Sequence, residues 1–278
     1  MKTGTQTIGE RITGIGLAVL TGAVLIFLVA PILTIVPLSF SSGSFFFYPL
    51  PGLSLRWYED FFTSSFWLPA LKNSLIVGVS ATVIATVLGT LAALGIWRAR
   101  FPAQALVLAI LISPMVVPVI IVAVGVYFAF APLGLTDGYL GLILAHATLG
   151  VPFVVITVLA TLSGFDRTLI RAAEGLGASQ ITTFRRVMLP LILPAFFAGL
   201  GVVFIRSMTA ISATIFLVSI NWTLITVKIL ENMTEVALGP AAAFSVFVIV
   251  VVVLVTGLLN LLLQRLTAPS LRVGRIGA

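Results

Sequence analysis

The sequence has no cysteine and very little charge. Only 8% of its 278 residues are Asp, Glu, Lys or Arg, whereas a soluble domain has about 25%. The lack of cysteine excludes disulfides and thiolate metal sites, and a single histidine leaves too few nitrogen ligands for a zinc site. Because 60% of the residues are hydrophobic, the chain cannot cover its surface with solvated groups, and we expect a membrane protein.

Six apolar runs are each long enough to cross a bilayer, which requires about 20 residues. The first is too long for a signal-peptide core and has no small-residue cleavage site, so we interpret it as a retained span. Prolines inside the third and fourth runs are expected to bend them, namely Pro114, Pro118 and Pro152. The sequence therefore predicts an all-α membrane protein, with a single domain over residues 1–278 and six transmembrane helices at 12–40, 73–97, 105–130, 139–162, 191–219 and 241–263.

Basic residues are unevenly distributed over the loops between these runs. With the N-terminus in the cytoplasm, most of them lie on the cytoplasmic side, and the outer segments carry Arg56, Lys72 and Lys228. This bias is typical of multi-pass proteins, because positively charged loops tend to stay inside. We therefore interpret the net charge of +7 as a signal of topology, expect both termini in the cytoplasm, and predict no nucleic-acid partner.

A polar stretch, RAAEGLGASQITTFRRVMLP at residues 171–190, interrupts the apolar chain between the fourth and fifth runs. Asp166 and Ser179 are each placed to cap a short helix, and Gly177 favours a turn between the two helices. Pro190 is expected to end the second helix before the next span begins. On these grounds alone, such an amphipathic hairpin could lie on the lipid surface or pack beneath its own bundle.

The spacing within this stretch resembles the signature loop of permease subunits of type I ATP-binding-cassette (ABC) importers. That signature is Glu-Ala-Ala, three residues, Gly, nine residues, an aliphatic residue, any residue, and Leu-Pro. Arg171 stands where the family has Glu, and one hypothesis is that Glu174, on the same helical face, compensates. The positions that match the signature are Ala172, Ala173, Gly177, Val187, Leu189 and Pro190.

The resemblance covers about residues 71–263 and implies the type I importer permease fold, with a cytoplasmic coupling helix between the fourth and fifth spans, in a loop at about 164–190. It also implies that the chain is not an enzyme, because ATP and Mg²⁺ are bound by two cytoplasmic ATPase subunits. The chain itself has no Gly-x-x-x-x-Gly-Lys-Ser/Thr stretch for holding phosphates. Further implied partners are a second permease subunit, expected to be a different chain, a periplasmic or extracellular substrate-binding protein, and membrane lipid.

Two groups of site residues follow. Arg206 is a charge inside the fifth span and is expected to face a translocation pathway, although it could also snorkel to the headgroups. Thr209 and Ser212 could line the same pathway or serve close helix packing, and His146 could instead form an interhelical hydrogen bond. The residues that the resemblance assigns to ATPase coupling are Arg171, Ala172, Ala173, Glu174, Gly177, Ala178, Phe184, Leu189 and Pro190.

Different stretches resemble permeases for different cargoes. RSMTAISATIFLVS, at residues 206–219, is similar to permeases of the ferric-iron group, which includes phosphonate systems. SLRWYEDFF and HATLGVPFVVITV, at residues 54–62 and 146–158, are more similar to polyamine permeases. Because the spans contain Arg206 and no acidic residue, we predict an inner-membrane permease of a bacterial cell for ferric iron or a phosphonate-like anion. The alternative cargo is a polyamine, spermidine or putrescine, and a further alternative is a stand-alone secondary transporter.

Overall fold

In the part of the chain that the structure describes, the regular secondary structure is helical, apart from one isolated β-bridge. The computed structural model describes residues 8–45, 47–99, 101–218, 222–234 and 238–273. Both chain ends and the predicted end of the fifth span at residue 219 lie outside these ranges. The described α-helices are α1 (Ile8–Ser39), α2 (Arg56–Thr63), α3 (Trp67–Arg98), α4 (Gln104–Val116), α5 (Val119–Phe130), α6 (Tyr139–Ser163), α7 (Thr168–Gly175), α8 (Gln180–Thr183), α9 (Leu189–Thr209), α10 (Ser212–Ile215), α11 (Ile225–Thr234) and α12 (Leu238–Val273).

The long helices account for the predicted spans. Five uninterrupted helical runs are long and apolar enough to cross a membrane, and α4 with α5 forms a sixth span when the pair is counted together. The prediction of an all-α protein with six spans is therefore confirmed. The five uninterrupted runs are Ile12–Ser39, Trp67–Arg98, Tyr139–Ser163, Gln180–Thr209 and Gly239–Leu266.

The third span is broken where the sequence predicted a bend. α4 and α5 meet at an angle of 108°, and Val117 between them has an extended backbone with φ −72° and ψ 137°. Pro118 explains the break, because its ring disfavours the helical conformation for the residue before it and it has no N–H to donate. The span therefore exposes backbone groups at its middle, which requires a protein or water environment there.

The fifth span is interrupted where the sequence predicted a continuous helix. α9 ends at Thr209, Ala210 has an extended backbone with ψ 115°, and α10 starts at Ser212. Hydroxyl side chains explain the break, because they compete with the helical backbone bonds. The hydroxyls of Thr214 and Thr226 both donate to the Ala210 carbonyl, at 2.8 and 3.3 Å. The prediction of an unbroken helix through this segment was therefore wrong.

Three helices, α3, α6 and α9, share one buried core. A Cβ placed on Gly89 of α3 would stand 2.7 Å from the Cβ of Val154 on α6, and a Cβ on Gly150 of α6 would stand 2.7 Å from Val203 on α9. Close approach of the helices therefore depends on glycine at these two positions. The α3 stripe that faces this core repeats a small residue every fourth position, at Ala81, Ala85, Gly89 and Ala93.

The described residues group into two compact units. In the first, Phe61 is buried between Phe244 and Phe247, at centroid distances of 5.0 and 4.8 Å, and α1 is exposed along nearly its whole length. The second contains the α3, α6 and α9 core together with the predicted coupling loop and pathway residues. The first unit comprises residues up to Thr63 with Asn232–Phe247, and the second comprises Ser64–Glu231 with residues from Val248 onward.

Candidate functional site

The predicted coupling loop begins with a side-chain cap at Asp166. Its Oδ1 accepts from the backbone N–H of Thr168 at 2.8 Å, and the Thr168 hydroxyl donates to Oδ2 at 2.6 Å. The hydroxyl, followed by the N–H, holds the pKa of the Asp166 carboxyl below its usual value, because both bonds favour the ionised form. The predicted cap is therefore confirmed, and α7 starts from a charged, exposed carboxylate.

Gly177 ends α7 with a left-handed backbone conformation, φ 81°. Its N–H donates to the Glu174 carbonyl at 2.9 Å, and the N–H of Ala178 donates to the Ala173 carbonyl at 3.0 Å. This pair of bonds is a Schellman motif, in which glycine is favoured because a Cβ is strained at positive φ. The predicted turn is confirmed, and α7 and α8 form a hairpin whose direction is fixed by backbone bonds.

The second arm of this α7–α8 hairpin leads directly into a membrane span. Ser179 accepts from the N–H of Thr182 at 3.3 Å, which confirms the predicted cap of α8. The helix does not end at Pro190, as the sequence predicted, but continues through a π-turn at Phe184–Met188 into α9. The wider π-turn makes room for the Pro190 ring, which would press on a carbonyl of the preceding turn in a regular α-helix. The arm and α9 are therefore one helical element.

Arg167 attaches the start of the hairpin to the end of α3. Its Nη2 donates to the Trp97 carbonyl oxygen at 2.6 Å, and its guanidinium lies over the Trp97 indole, 4.3 Å from the ring centroid. Phe165 packs edge-on against the same indole, with 5.6 Å between centroids. Sequence reasoning missed this contact, for which the available signal was an arginine directly after the fourth span and a tryptophan at the end of the second.

The predicted coupling residues separate into exposed and packed groups. Phe184 and Leu189 pack against the core of α3, α6 and α9. In contrast, two apolar side chains of the hairpin face outward. Leu176, directly before Gly177, is 90% exposed, and Ile181 on α8 is 72% exposed. Of the remaining residues of the predicted set, which does not include Leu176 or Ile181, Arg171, Ala172, Glu174 and Gly177 are exposed, whereas Ala173, Ala178 and Pro190 are half-buried.

Arg171 and Glu174 both lie on α7 and are both exposed. They do not form a salt bridge with each other. The salt bridge observed within the described residues is between Lys228 and Glu231, at 2.8 Å. Arg171 and Glu174 both line a cleft of 720 Å³ between the end of α3 and the two arms of the hairpin. We call it the hairpin cleft, and its wall also includes Leu94, Arg98, Arg167, Phe184 and Met188.

The four predicted pathway residues come together beside the two helix breaks. Arg206 is exposed on α9, with its guanidinium 5.5 Å from the centroid of the Phe153 ring. A cavity of 130 Å³ lies at the α9–α10 break and is lined by His146, Arg206, Thr209 and Ser212 together with Val119 of α5. Arg206 also lines another cavity, formed by both sides of the α4–α5 break at Pro118. The role of the four predicted residues in a pathway stays a prediction.

His146 is buried and makes the interhelical hydrogen bonds that the sequence offered as its alternative role. Its Nδ1 lies 2.7 Å from the Ser207 hydroxyl on α9, and its Nε2 lies 3.1 Å from the Thr214 hydroxyl on α10. The imidazole therefore joins the helix segments on either side of the break at Ala210. No group of three or more potential metal-ligating side chains occurs within the ranges that the structure describes.

Comparison with known proteins places this geometry in a family. Residues 85–268 match the family model for the binding-protein-dependent transport system inner membrane component. The chain is 31% identical over 255 residues to the spermidine/putrescine transport system permease protein PotC of Escherichia coli strain K12. This alignment covers 92% of this chain and 94% of that protein. It is also 31% identical over 186 residues to the sulfate transport system permease protein CysT of Salmonella typhimurium strain LT2. That alignment covers 62% of this chain and 67% of the relative.

The fold is also similar to a solved structure. A chain of the bacterial alginate ABC transporter, crystallised in complex with an alginate pentasaccharide-bound periplasmic protein, superimposes with a TM-score of 0.72 at 19% identity, covering 93% of this chain and 96% of that chain. The likeness agrees with the type I importer permease fold that the sequence predicted. The matched family region contains the α7–α8 hairpin and both helix breaks. The chain is therefore a multi-pass inner-membrane protein that belongs to the family of binding-protein-dependent transport system inner membrane components, the permeases of ABC importers.

Proposed function

We propose that the chain is a non-catalytic permease subunit that forms half of the translocation pathway of an ABC importer and couples ATP hydrolysis by separate ATPase subunits to solute uptake. The observation that supports the coupling role is the α7–α8 hairpin. It presents the apolar side chains of Leu176 and Ile181 outward from a backbone that is fixed at Gly177 and attached to α3 by Arg167. Exposed apolar side chains on an ordered turn are suited to docking in a pocket of a partner protein.

The hairpin would act as a lever between the ATPases and the spans. ATP and Mg²⁺ bind to the ATPases, and closure of the ATPase pair displaces the docked tip. α8 is continuous with α9, and Arg167 holds the base of α7 against α3, so a displacement reaches two of the three core helices. Packed helices move as rigid bodies when pushed, and a loose connector would lose the displacement.

The proposed assembly places the hairpin and both termini in the cytoplasm, in agreement with the inside bias of the basic residues. Two ATPase subunits bind on that face, a second permease subunit of different sequence supplies the other half of the pathway, and a periplasmic or extracellular binding protein delivers the cargo. Residues 1–278 form a single permease domain in this proposal, and the pathway runs past His146, Arg206, Thr209 and Ser212.

We propose a polyamine, such as spermidine or putrescine, as the cargo. The relative that aligns with 92% of the chain is a spermidine/putrescine permease, which favours this alternative over the ferric iron or phosphonate-like anion that the sequence placed first. Arg206 would repel a polyamine at close range. A polyamine pathway therefore requires acidic side chains on the facing wall, from the second permease subunit.

A sulfate-like oxyanion is the second candidate cargo. Arg206 lines the cavities at both helix breaks, and the five uninterrupted candidate spans and the α4–α5 pair contain no Asp or Glu. Such a wall favours an anion on electrostatic grounds, and a sulfate permease is among the relatives.

The coupling role is tested with two glycine-to-alanine variants of the reconstituted importer. Gly177→Ala places a Cβ at positive φ, which costs about 1–2 kcal/mol, whereas Gly175→Ala adds a Cβ to α7 in open space. We expect Gly177→Ala to retain the bound ATPases but import severalfold less cargo per ATP hydrolysed, while Gly175→Ala matches the parent. Parental coupling in both variants would contradict the proposal.

The cargo is tested by uptake of radiolabelled spermidine and radiolabelled sulfate into proteoliposomes that contain the whole importer and its binding protein. We expect spermidine uptake that depends on ATP, and no sulfate uptake. ATP-dependent sulfate uptake that is lost in Arg206→Gln would instead establish the second candidate.

A further inference from the structure

The hairpin cleft carries a charge that its own walls do not neutralise. Arg98, Arg167 and Arg171 line it, against the single carboxylate of Glu174. Arg167 is held by Trp97, whereas Arg98 and Arg171 are exposed and take part in no salt bridge within the described residues. The charge of Arg171 also acts on the exposed Asp166 carboxyl and contributes to its lowered pKa. Two guanidinium groups are therefore available at the cleft for an anionic ligand.

The wall of the cleft is apolar as well as basic. Leu94, Phe184 and Met188 line it beside Trp97. Leu94 belongs to the candidate span Trp67–Arg98, and Met188 belongs to the candidate span Gln180–Thr209. The cleft therefore lies near the ends of two candidate spans, and tryptophan is enriched at the membrane–water interface of membrane proteins.

We propose that the hairpin cleft binds an anionic phospholipid, with the phosphate between Arg98 and Arg171 and the first part of an acyl chain against Leu94 and Met188. Arginine forks bind phosphate oxygens in pairs, and basic pockets between transmembrane helices bind anionic headgroups. A volume of 720 Å³ exceeds what a lone phosphate needs, which fits a glycerophosphate with attached acyl carbons.

A lipid fits the cleft better than a side chain of the ATPase. The most exposed apolar residue of the hairpin, Leu176, does not line the cleft, whereas Arg171, Glu174 and Ile181 do, so the cleft adjoins the surface proposed for ATPase docking without including its tip. The apolar walls belong to candidate membrane spans and form the edge of the α3, α6 and α9 core, which suits an acyl chain better than a polar side chain. A bound lipid would hold α7 against the end of α3, in addition to the bond between Arg167 and Trp97.

The test compares two double variants with the same loss of charge. Arg98→Gln/Arg171→Gln removes the two exposed arginines of the cleft that are not held by Trp97, and Arg185→Gln/Arg186→Gln removes two exposed arginines that do not line it. The intact importer, delipidated in detergent, is mixed with vesicles of phosphatidylglycerol or of phosphatidylcholine, repurified, and its retained lipid is counted by native mass spectrometry. We expect the parent and the Arg185/Arg186 variant to retain phosphatidylglycerol, and the Arg98/Arg171 variant to retain severalfold less.

Three outcomes would overturn the proposal: equal retention of phosphatidylglycerol by both double variants, equal retention of the two lipids by the parent, or a photo-crosslinker at position 98 that reaches an ATPase subunit instead of lipid. If the double variant does not assemble, Arg98→Gln alone decides, because residue 98 lies outside the hairpin. ATPase copurification is measured on the same samples, so a failure of lipid binding is distinguished from a failure of ATPase docking.

Discussion

Arg167 contacts Trp97 in two ways: its Nη2 donates to the carbonyl oxygen at 2.6 Å, and its guanidinium lies 4.3 Å from the centroid of the indole. The two residues are 70 positions apart in the sequence, and they join the base of the α7–α8 hairpin to the last turn of α3. Trp97 itself packs against the core of α3, α6 and α9. A force applied to the hairpin therefore has a direct contact through which it can reach α3.

We expect Arg167→Lys to weaken coupling although it keeps the charge. Lysine cannot donate from a planar fork while stacking on the indole, so the hairpin should move more independently of α3. The measurement is cargo imported per ATP hydrolysed in proteoliposomes, which should fall severalfold with the ATPases still bound. Arg186→Lys, at an exposed arginine of the same loop, is the matched control and should behave like the parent. Unchanged coupling in Arg167→Lys would show that the contact transmits nothing.

Glu174 is expected to supply the carboxylate that the family signature has at position 171. Both residues are exposed on α7 and are not paired with each other, so either side chain can face a partner. Glu174→Gln should weaken ATPase binding severalfold, as measured by titrating purified ATPase onto the permease in nanodiscs. Adding Arg171→Glu to this variant should restore most of the affinity. No loss in the single variant would remove Glu174 from the docking surface.

Gly89 should be far less tolerant of alanine than Gly95 on the same helix. A Cβ at Gly89 would stand 2.7 Å from the Val154 Cβ, whereas a Cβ at Gly95 meets nothing within 4 Å. We expect Gly89→Ala to lower the free energy of unfolding by about 1–3 kcal/mol through overpacking, and Gly95→Ala to leave it unchanged or raise it by up to about 1 kcal/mol through helix propensity. Thermal unfolding in detergent measures both, and equal midpoints would contradict the packing of α3 against α6.

His146 should stabilise the broken fifth span. His146→Phe keeps a ring but leaves the Ser207 hydroxyl without its partner, which costs about 1–3 kcal/mol when the group is buried. Thr214 retains its bond to the Ala210 carbonyl, so Ser207 should account for most of the loss. Adding Ser207→Ala to His146→Phe should therefore recover part of the stability in the same thermal assay. Full additivity of the two substitutions would show that the bond contributes nothing.

Local sequence patterns predicted the parts of the site that depend on local chemistry. The caps at Asp166 and Ser179, the turn at Gly177 and the break at Pro118 each follow from the preferences of one residue type, and the structure contains all four. Pro190 was misjudged because its usual effect assumes a regular α-helix, and the π-turn before it removes the clash.

Contacts between distant segments could not be predicted in the same way. The bond from Arg167 to Trp97 depends on how α3 and α6 pack, and no local pattern specifies that register. The break at Ala210 is similar, because its carbonyl receives a hydroxyl from Thr226 in a later helix. The cargo also depends on a facing wall that this chain does not contain, so Arg206 alone pointed towards an anion.

The most direct test of the coupling role is a crosslink from the tip of the hairpin. The chain has no cysteine, so Leu176→Cys introduces a single reactive thiol at a residue that is 90% exposed. Val253→Cys on α12, which is also exposed, serves as the control position. With a thiol-anchored photo-crosslinker in an importer that is actively transporting, residue 176 should link to an ATPase subunit and residue 253 should not. Links from residue 176 that reach only lipid or the same polypeptide would contradict the account.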